Sequence, residues 1–417
     1  MNRIVAGIDV HKRVLMVVVG LVSGVGEAER VAFERRRCGA TTAELMHLVS
    51  WLQQHGVTEV VMESTAQYWK PVWYALEPHF ALHLAQAWSN RAPRGKKADF
   101  QDAERLVRRY WAGELTLSFI PDAEQRLMRD VTRRRAQLTR DRVRIQNQVE
   151  SLLEETRIKL SSAVTDLFGA TGRRILQALV TGVSDAQQLA ALADPHVKRS
   201  PEELTEALTG VVTPIHRLLL AQHLKQLELV DAQLQELTQW TAKAMQNYGD
   251  VIARLSEIPG IRVKAAEQLL AEVGPEAKAF PTAARFSSWI GVCPGKNESA
   301  EQNHSSRSAK GNKFVRTVLV QAAHAAVRTK DSFFQRKFNA LLPKKGYPKA
   351  IWAVAHHMAV VIWHILHNRA HYQERGGRTT KQALQRRLQR LNAELRRYGV
   401  SAVLQTLEPA QMAVSKS

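Results

Sequence analysis

The chain has 417 residues, enough for two or three domains with cores of their own. Its 59 Lys and Arg residues outnumber 39 Asp and Glu residues, so the formal net charge is +20 and the pI is near 10.2. An excess of this size favours a polyanionic partner, first of all nucleic acid; a basic surface that only aids solubility is the simpler alternative. With only two cysteines, Cys38 and Cys293, the sequence excludes a disulfide framework and a cysteine-based zinc site, and it fits a reducing cytosol.

Neither a signal peptide nor a membrane span is expected. The first letters, MNRIVAGID, lead directly into a strand pattern. The most apolar helical run, residues 350–367, is interrupted by His356, His357 and His364, and is therefore predicted to be a buried helix of a soluble protein. His357 and His364 are two turns apart on one face, but no carboxylate lies at ligand spacing, so a structural helix is favoured over a metal site.

Strand and helix patterns alternate over residues 1–122, the first predicted domain. Runs of β-branched residues predict a hairpin from two strands, at 4–10 and 14–20. Thr41 or Thr42 is expected to cap a helix that ends near residue 55. Such an order predicts one mixed sheet with helices packed on it. The remaining predicted elements are strands at 31–36, 57–64 and 81–86, and helices at 67–76 and 100–111.

The second predicted domain, residues 123–250, carries two apolar stripes at heptad-like spacing. Such stripes are typical of long helices packed as a coiled-coil arm. Between them, SDAQ (184–187) and SPEE (200–203) each place a serine three residues before Gln or Glu, which is the pattern of a helix N-cap. The stripes consist of Leu127, Val131, Leu138, Ile145, Val149 and Leu152, and of Leu220, Leu224, Leu227, Leu234 and Leu237.

A helical third domain is predicted over 251–372, followed by a basic helical tail over 373–417. Residues 255–274 read as two helices about a Pro-Gly turn, similar to a helix–hairpin–helix whose turn offers backbone N–H groups to a phosphate. An ordinary helical hairpin explains this pattern equally well. A polar loop, KNESAEQNHSSRSAKGNK, follows and leads into a helix that begins near residues 311–312.

Four acidic residues of the first domain are candidates for a shared site. Asp9 stands in an apolar strand, where an unpaired charge is costly, although it could be a hairpin residue. Glu63 closes the buried strand of VVMES, at the strand end where sites on open sheets collect. Asp99 and Asp102 share one face at the start of a helix, where Asp99 could instead cap the helix or offset its dipole.

Taken together, these four carboxylates can converge at one end of the sheet. Packed together they would repel each other and have raised pKa values, and divalent metal ions would remove that penalty. Oxygen-only ligands suit Mg²⁺ or Mn²⁺, and two such ions about 4 Å apart can activate a nucleophile and stabilise the leaving oxygen of a phosphodiester. The preceding loop offers cations for a nucleic-acid backbone, namely Arg91, Arg94, Lys96 and Lys97.

At these residues the sequence resembles a known family. GIDVHK, VVMESTAQYW and KKADFQDAERL resemble the three motifs of DEDD-type transposases of the insertion-sequence family numbered one hundred and ten. The resemblance implies a RuvC-like N-terminal domain of the ribonuclease H fold, with Asp9, Glu63, Asp99 and Asp102 as catalytic metal ligands. Ala98 stands where the family usually has Thr, a departure that leaves the acid in place.

The later segment FSSWIGVCPGKNESAEQNHSSRSAKGNKFVRTVLVQAAHAA resembles the C-terminal transposase domain of the same family. The resemblance implies a serine nucleophile in the loop, which by position is Ser299. Relatives usually have Gly after or near this serine, whereas here Ala-Glu-Gln follows, so Ser305, Ser306 and Ser308 stay open as alternatives. Three cations are placed to hold the scissile phosphate or simply to bind the backbone, namely Lys310, Lys313 and Arg316.

The predicted fold class is thus α/β plus all-α: a RuvC-like domain, a coiled-coil arm, and a helical C-terminal domain with a helix–hairpin–helix-like element. The resemblance implies a transposase or recombinase of a bacterial insertion sequence, which acts in the cytoplasm at the nucleoid on element ends and target DNA. It also implies a composite site across the subunits of a dimer or tetramer, and an element-encoded guide RNA. The basic arm and tail could hold that RNA.

Three other functions fit parts of the sequence. A Holliday-junction-type structure-specific endonuclease would use the same acids. A non-catalytic nucleic-acid scaffold would explain the charge but not the acids. A sugar-kinase or actin-like ATPase, suggested by GIDVHK, would need a Gly-rich phosphate loop, and none follows residues 57–64.

Overall fold

The computed structural model describes residues 4–23, 30–64, 66–90, 100–295, 297–299, 302–305, 308, 310–374 and 389. The chain divides into two units, Met1–Arg126 and Leu127–Ser417. In its described part, the first unit carries a six-stranded sheet, and the second is helical apart from a two-stranded sheet. Apart from 373, 374 and 389, the predicted basic tail lies outside the described residues.

A mixed sheet with the strand order β3-β2-β1-β4-β5-β6 forms the first unit. The central strands β1 and β4 are parallel, as are β4 and β5, whereas β2 runs antiparallel to both of its neighbours. This order and the reversed β2 are those of the ribonuclease H-like fold. The predicted strands are confirmed, and the unpredicted β6 is only two residues long. The bounds are β1 (Val5–Val10), β2 (Val14–Ser23), β3 (Arg30–Gly39), β4 (Glu59–Ser64), β5 (Ala81–Ala85) and β6 (Leu117–Ser118).

Helices cover both faces of the sheet, because alternate residues of the central strands are apolar on each face. α1 (Thr42–Gln54) and α2 (Trp69–Leu76) pack on the face that carries Ile8 and Val10. α3 (Gln101–Trp111) packs on the opposite face. Of the two predicted caps, Thr41 is the N-cap of α1; its side chain accepts a hydrogen bond from the Glu44 N–H.

Two long helices, α4 (Ala123–Glu155) and α9 (Pro214–Ala244), occur where the apolar stripes predicted them. They share a small core formed by Leu138, Ile145, Leu227 and Val230. The prediction that Leu127 belongs to the buried stripe is wrong, since it is 61% exposed. An α-helix has 3.6 residues per turn, so a face that follows a seven-residue repeat drifts away from its start. At the N-terminal end of α4 the buried positions are instead Gln125, Arg126, Met128, Arg129 and Thr132.

Four shorter helices lie between α4 and α9. Ser200 caps the last of them with the full capping box that SPEE predicts. The prediction at SDAQ is shifted by one residue: Asp185, and not Ser184, is the N-cap and accepts a hydrogen bond from the Gln187 N–H. These helices are α5 (Leu160–Ala163), α6 (Ala170–Thr181), α7 (Ala186–Ala190) and α8 (Pro201–Leu208).

The remaining elements form the C-terminal part of the second unit. The predicted Pro-Gly turn joins α10 to α11, and Gly260 adopts a φ of +85° there. A Cβ on Gly260 would lie 2.2 Å from the Ala322 carbonyl oxygen, so the turn packs directly on α13. The bounds are α10 (Gly249–Ser256), α11 (Val263–Val273), α12 (Ala283–Ile290), β7 (Asn297–Ser299), β8 (Gln302–Ser305), α13 (Lys313–Ala326) and α14 (Phe333–His367).

α14 includes the His-rich apolar run. Among the described helices, it alone has the length and composition to cross a membrane, and half of its most apolar stretch is buried within the protein, as in a core helix. Its backbone breaks at Gly346, where φ is +73°. Burial lowers the pKa of His356 and of His357, which favours neutral imidazoles in the packed helix. Among the described residues no group of His, Cys, Asp or Glu in this helix could hold a metal ion.

Candidate functional site

Two of the predicted acids meet on the central strands. β1 and β4 are parallel, and their register places Asp9 directly beside Glu63 near the carboxyl ends of both strands. Their neighbours Ile8 and Met62 point into the opposite core, so the two carboxylates share the face covered by α3. Asp9 is 17% exposed, and the His11 Nε2 lies 3.3 Å from its Oδ2.

α3 brings a third acid to this edge because Gly7 has no side chain. A Cβ on Gly7 would lie 2.4 Å from the Ala103 carbonyl oxygen, a distance that real side chains do not adopt. α3 therefore rests directly on the β1 backbone at Ala103. Asp102 immediately precedes this contact, and Asp9 follows Gly7 by two residues. Asp102 forms an ion pair with Arg105 one turn further along the helix.

The electrostatics of this cluster are those of carboxylates held close together. Burial raises the pKa of Glu63, and the charge of Asp9 raises it further, whereas a hydrogen bond from Asn90 and the charge of Arg105 partly offset both effects. Burial and the charge of Arg109 lower the pKa of Arg105, and Glu63 and Asp9 act in the opposite direction. A carboxylate whose pKa is raised by burial, with a like charge beside it, is characteristic of functional sites.

Asn90 is a residue of this site that the sequence analysis missed. It ends a 3₁₀ turn (Ala87–Asn90) after β5 and is 3% exposed. Its Nδ2 donates to the Glu63 Oε2 at 2.6 Å and to the Asp102 carbonyl oxygen at 3.3 Å. Its Oδ1 is buried and accepts no hydrogen bond from the part of the chain that the structure describes. A buried amide oxygen without a donor costs about 1–3 kcal/mol.

The donors gathered here suit a hard divalent cation. Asp9 and Glu63 offer carboxylate oxygens side by side, and the buried Asn90 Oδ1 has no donor among the described residues. Asp102 offers a further carboxylate from the start of α3. Within the described ranges, no group of three or more His, Cys, Asp or Glu side chains is close enough to hold a metal ion. Asp99, the fourth predicted acid, lies outside the described residues, as do Arg91, Arg94, Lys96 and Lys97.

In the second unit, the loop with the predicted nucleophile is a hairpin. β7 and β8 are antiparallel, and Ser299 pairs with Gln302, so the backbone of Ser299 stands at the last pair before a two-residue connection. Ser305 pairs with Asn297 at the other end of the hairpin. Ser308 is held structurally, because its Oγ accepts a hydrogen bond from the Trp352 Nε1 at 2.9 Å. Ser306 and the side chain of Ser299 lie outside the described residues.

The segment after the hairpin is fixed at the start of α13. A Cβ on Gly311 would lie 2.2 Å from the Ile290 carbonyl oxygen, so only glycine permits this approach of the two backbones. Asn312 is the N-cap of α13: its Oδ1 accepts hydrogen bonds from the N–H groups of Phe314 and Val315, at 2.9 and 3.1 Å. The prediction that a helix begins near residues 311–312 is therefore confirmed.

A buried carboxylate on α11 joins this cap to α4. Glu272 has no exposed surface, and its two oxygens accept hydrogen bonds from the Arg133 Nε and Nη2, at 2.6 and 2.8 Å. The Arg129 Nε lies 3.5 Å from the Glu272 Oε2. The Asn312 Nδ2 donates to the same oxygen at 2.9 Å. A buried charge is tolerated only when it is paired and hydrogen-bonded, and Glu272 meets both conditions.

The predicted cations of this region lie around the same cap. Lys310 is exposed just before Gly311, and Lys313 opens α13 with its Nζ 5.2 Å from the centre of the Phe314 ring. Arg316 is half-buried one turn further along. They follow the hairpin closely in sequence, and the phosphate-holding role expected of them stays a prediction.

Both predicted motif regions match sequence families. Residues 6–158 match a family model for the DEDD transposases of IS110, described as a transposase, and residues 252–338 match the family described as "Transposase IS116/IS110/IS902". Together these two matches span more than half of the chain, in the order expected. The chain belongs to the IS110 family of transposases. The transposase thus has the sheet with Asp9 and Glu63 in one matched region, and Ser299 in the other.

Two curated relatives agree with this assignment. The transposase is 26% identical over 381 residues to a Pseudomonas aeruginosa protein named "Probable family 20 transposase", an alignment that covers 89% of this chain and 99% of that protein. It is 27% identical over 135 residues to the "Transposase for insertion sequence element IS1111A" of Coxiella burnetii, which covers 31% of this chain and 37% of that protein. Among solved structures, Thermus thermophilus RuvC aligns over 28% of this chain and 99% of its own, with 14% identity and a TM-score of 0.23.

The Glu272 cluster generates a stability prediction for the transposase. Glu272→Ala leaves Arg129 and Arg133 without their buried partner, and we expect a loss of about 3–5 kcal/mol in the free energy of unfolding. Urea denaturation followed by circular dichroism measures this loss. Glu154→Ala is the matched control, since its ion pair with Lys159 is half-exposed and is expected to contribute less than about 1 kcal/mol. Equal losses in the two variants would contradict the role given to Glu272.

Proposed function

We propose that the transposase cuts and rejoins DNA strands through a serine nucleophile, Ser299, in a reaction that also needs the carboxylates Asp9, Glu63, Asp99 and Asp102. The observation that carries the proposal is the pairing of Asp9 with Glu63 on the two central strands, in a chain of the IS110 family. Carboxylates brought together at this end of a sheet, with a raised pKa at Glu63, are difficult to explain as structural residues. The strongly basic chain supplies the attraction for the DNA backbone.

Asp9, Glu63, Asp99 and Asp102 would hold Mg²⁺ or Mn²⁺. Such ions, when bound, stabilise the charge that develops on a phosphodiester during transfer. The residues themselves supply the fixed frame: β1 and β4 hold two acids in register, and α3 carries Asp102 over Gly7. The loop cations Arg91, Arg94, Lys96 and Lys97 would hold the DNA or RNA backbone beside them.

The chemical step conserves the phosphodiester for rejoining. The Ser299 Oγ attacks the scissile phosphorus; an oxygen–phosphorus bond to the serine forms, and the bond to one deoxyribose oxygen breaks. The hydroxyl proton ends on the released sugar oxygen, so the products are a phosphoserine–DNA link and a free hydroxyl. Attack by the hydroxyl of another strand on this link reverses the bond changes and joins the new partner. Lys310, Lys313 and Arg316 would offset the phosphate charge.

The use of a guide RNA by the transposase is also a proposal. We infer that an RNA encoded by the element selects donor and target DNA, and that a dimer or tetramer performs the exchange, because one nucleophile per chain cannot cut four strands. The charge of +20 supports a second polyanionic partner beside DNA.

The carboxylate set is tested by single substitutions. Glu63→Gln or Asp102→Asn should reduce Mg²⁺-dependent strand cleavage by at least a thousandfold, since each removes a charged ligand, while folding and DNA binding stay intact. Cleavage of a labelled element end is the measurement, with circular dichroism and a mobility-shift assay as the control for folding and binding. Cleavage retained in either variant would contradict the metal-site assignment.

The nucleophile is tested by trapping the covalent product. Ser299→Ala should abolish the protein–DNA adduct that denaturing gels detect, because no other group replaces the seryl oxygen. Ser305→Ala serves as the matched variant on the same hairpin and should retain the adduct. If the adduct persists in Ser299→Ala, the nucleophile is a different residue; cleavage without any adduct in the wild type would favour a Holliday-junction-type endonuclease.

The guide is tested by sequencing the RNA that co-purifies with the chain from cells carrying the whole element. We expect one transcript that maps beside the reading frame. Random cellular RNA that is released by moderate salt would point instead to plain electrostatic binding.

A further inference from the structure

Asn90 is bound to two of the proposed metal ligands at once. One Nδ2 hydrogen bond goes to the Glu63 carboxylate on β4 at 2.6 Å, and the other goes to the Asp102 carbonyl oxygen on α3 at 3.3 Å. Each of the two Asn90 amide hydrogens therefore has an acceptor. The opposite orientation of the amide would set Oδ1 against these two oxygens, so the hydrogen-bond network fixes which atom is the nitrogen.

The backbone of Asn90 is also held, and again by α3. The Arg105 Nε donates to the Asn90 carbonyl oxygen at 3.1 Å, and the Arg109 Nη1 donates to the Ser89 carbonyl oxygen at 2.6 Å. The two arginines are one helical turn apart and donate hydrogen bonds to consecutive carbonyl groups of the 3₁₀ turn. Asn90 consequently cannot shift relative to the helix that carries Asp102.

The Asn90 Oδ1 remains as an acceptor without a donor among the described residues, although Asn90 is 97% buried. A residue needed only to fill this space would be better apolar, since burying a polar atom without a partner is unfavourable. An oxygen retained at such a cost beside the Glu63 carboxylate, which itself lies next to Asp9, is suited to a hard cation or to a water molecule of its hydration shell.

We propose that Asn90 is a positioning residue of the metal site, which locks the Glu63 carboxylate against α3 and presents its own oxygen to the hydrated cation. This inference rests on the proposed function. Its main consequence is that the spacing between Glu63 and Asp102 is set by one amide and not by the carboxylates themselves. Outer-shell residues of this kind orient metal ligands, and their loss typically weakens metal binding by 10–100-fold.

The test measures Mn²⁺ affinity on the full-length chain freed of nucleic acid, from the electron paramagnetic resonance signal of unbound Mn²⁺. Site-specific binding is defined as the part that Asp9→Asn abolishes. Asn90→Leu, which keeps the branched shape and the number of side-chain heavy atoms and removes the hydrogen bonds, should weaken this binding at least tenfold. Asn90→Ala should weaken the binding by a similar factor, and this variant replaces Asn90→Leu in the test if Asn90→Leu does not fold.

Tyr110→Phe is the matched control. The Tyr110 hydroxyl donates to the Glu59 Oε2 at 2.6 Å, so this change also removes one short hydrogen bond to a glutamate of β4, but at the other end of the strand. Its Mn²⁺ affinity should equal that of the wild type. A double-mutant cycle adds a measurement that general destabilisation would not change: Asn90→Ala should weaken Mn²⁺ binding by a smaller factor in a Glu63→Gln background than in the wild type.

Each outcome is decisive. Wild-type affinity in folded Asn90→Leu or Asn90→Ala would overturn the role of Asn90 while leaving the metal site intact. A tenfold loss in Tyr110→Phe as well, or full additivity with Glu63→Gln, would also overturn it, because the effect would then be structural. A wild-type chain with no Mn²⁺ binding sensitive to Asp9→Asn would overturn the metal site itself, and this inference with it.

Discussion

The contact between the β1 backbone at Gly7 and the α3 backbone at Ala103 is the constraint on which the first unit depends. A sheet and a helix normally pack about 10 Å apart because side chains separate them, and here one side chain is missing. The α3 backbone therefore packs directly on the β1 backbone, and the first turn of α3 lies near the carboxyl end of β1. The register of β1 and β4 places Asp9 beside Glu63, and the approach of α3 brings Asp102 and the turn that ends at Asn90 to the same edge. The absence of a side chain at Gly7 thus permits α3 to reach the acidic edge.

Buried acidic residues have opposite environments in the two units. In the second unit, Glu272 is enclosed but completely satisfied, with a bidentate arginine, a second arginine and an asparagine amide around it. In the first unit, Glu63 lies beside another carboxylate, with an elevated pKa and only partial compensation from Arg105. The first arrangement stabilises a packing, whereas the second leaves two carboxylates side by side with only partial compensation. This difference supports the proposed role of Glu63 more clearly than burial does, because Glu272 is the more buried of the two.

Local patterns were sufficient to predict much of the fold. Runs such as VLMVVV and VVME can hardly be anything but strands, and the caps at Thr41 and Ser200 follow from short-range hydrogen bonding. The face of a long helix was harder, since a heptad pattern extended to Leu127 ignores the drift of a real helix. The β7–β8 hairpin was missed because all its strand residues are polar, and its only signal is backbone pairing.

In the candidate site, too, some residues could be predicted from local sequence patterns, whereas others depend on contacts that are distant in sequence. Asp9, Glu63 and Asp102 carry motif signals, and the register that pairs Asp9 with Glu63 on β1 and β4 follows from the predicted strands. Asn90 carries no such signal in its own segment: an asparagine after a short turn usually serves the turn. Its role depends on contacts 12 and 27 residues away along the chain. The position after β5, at the same sheet edge as the acids, was the one available hint.

The hairpin that carries Ser299 has a consequence for how this part of the chain can vary. Its strands advance about 3.3 Å per residue, so the backbone advances roughly 7 Å from Asn297 to the proposed nucleophile, Ser299. The insertion or deletion of one residue would change this distance by the rise of one residue, and it would turn the side chains of the strand to the opposite face. The pairing of Ser299 with Gln302 thus makes the number of residues before the serine a constraint on how this segment can vary.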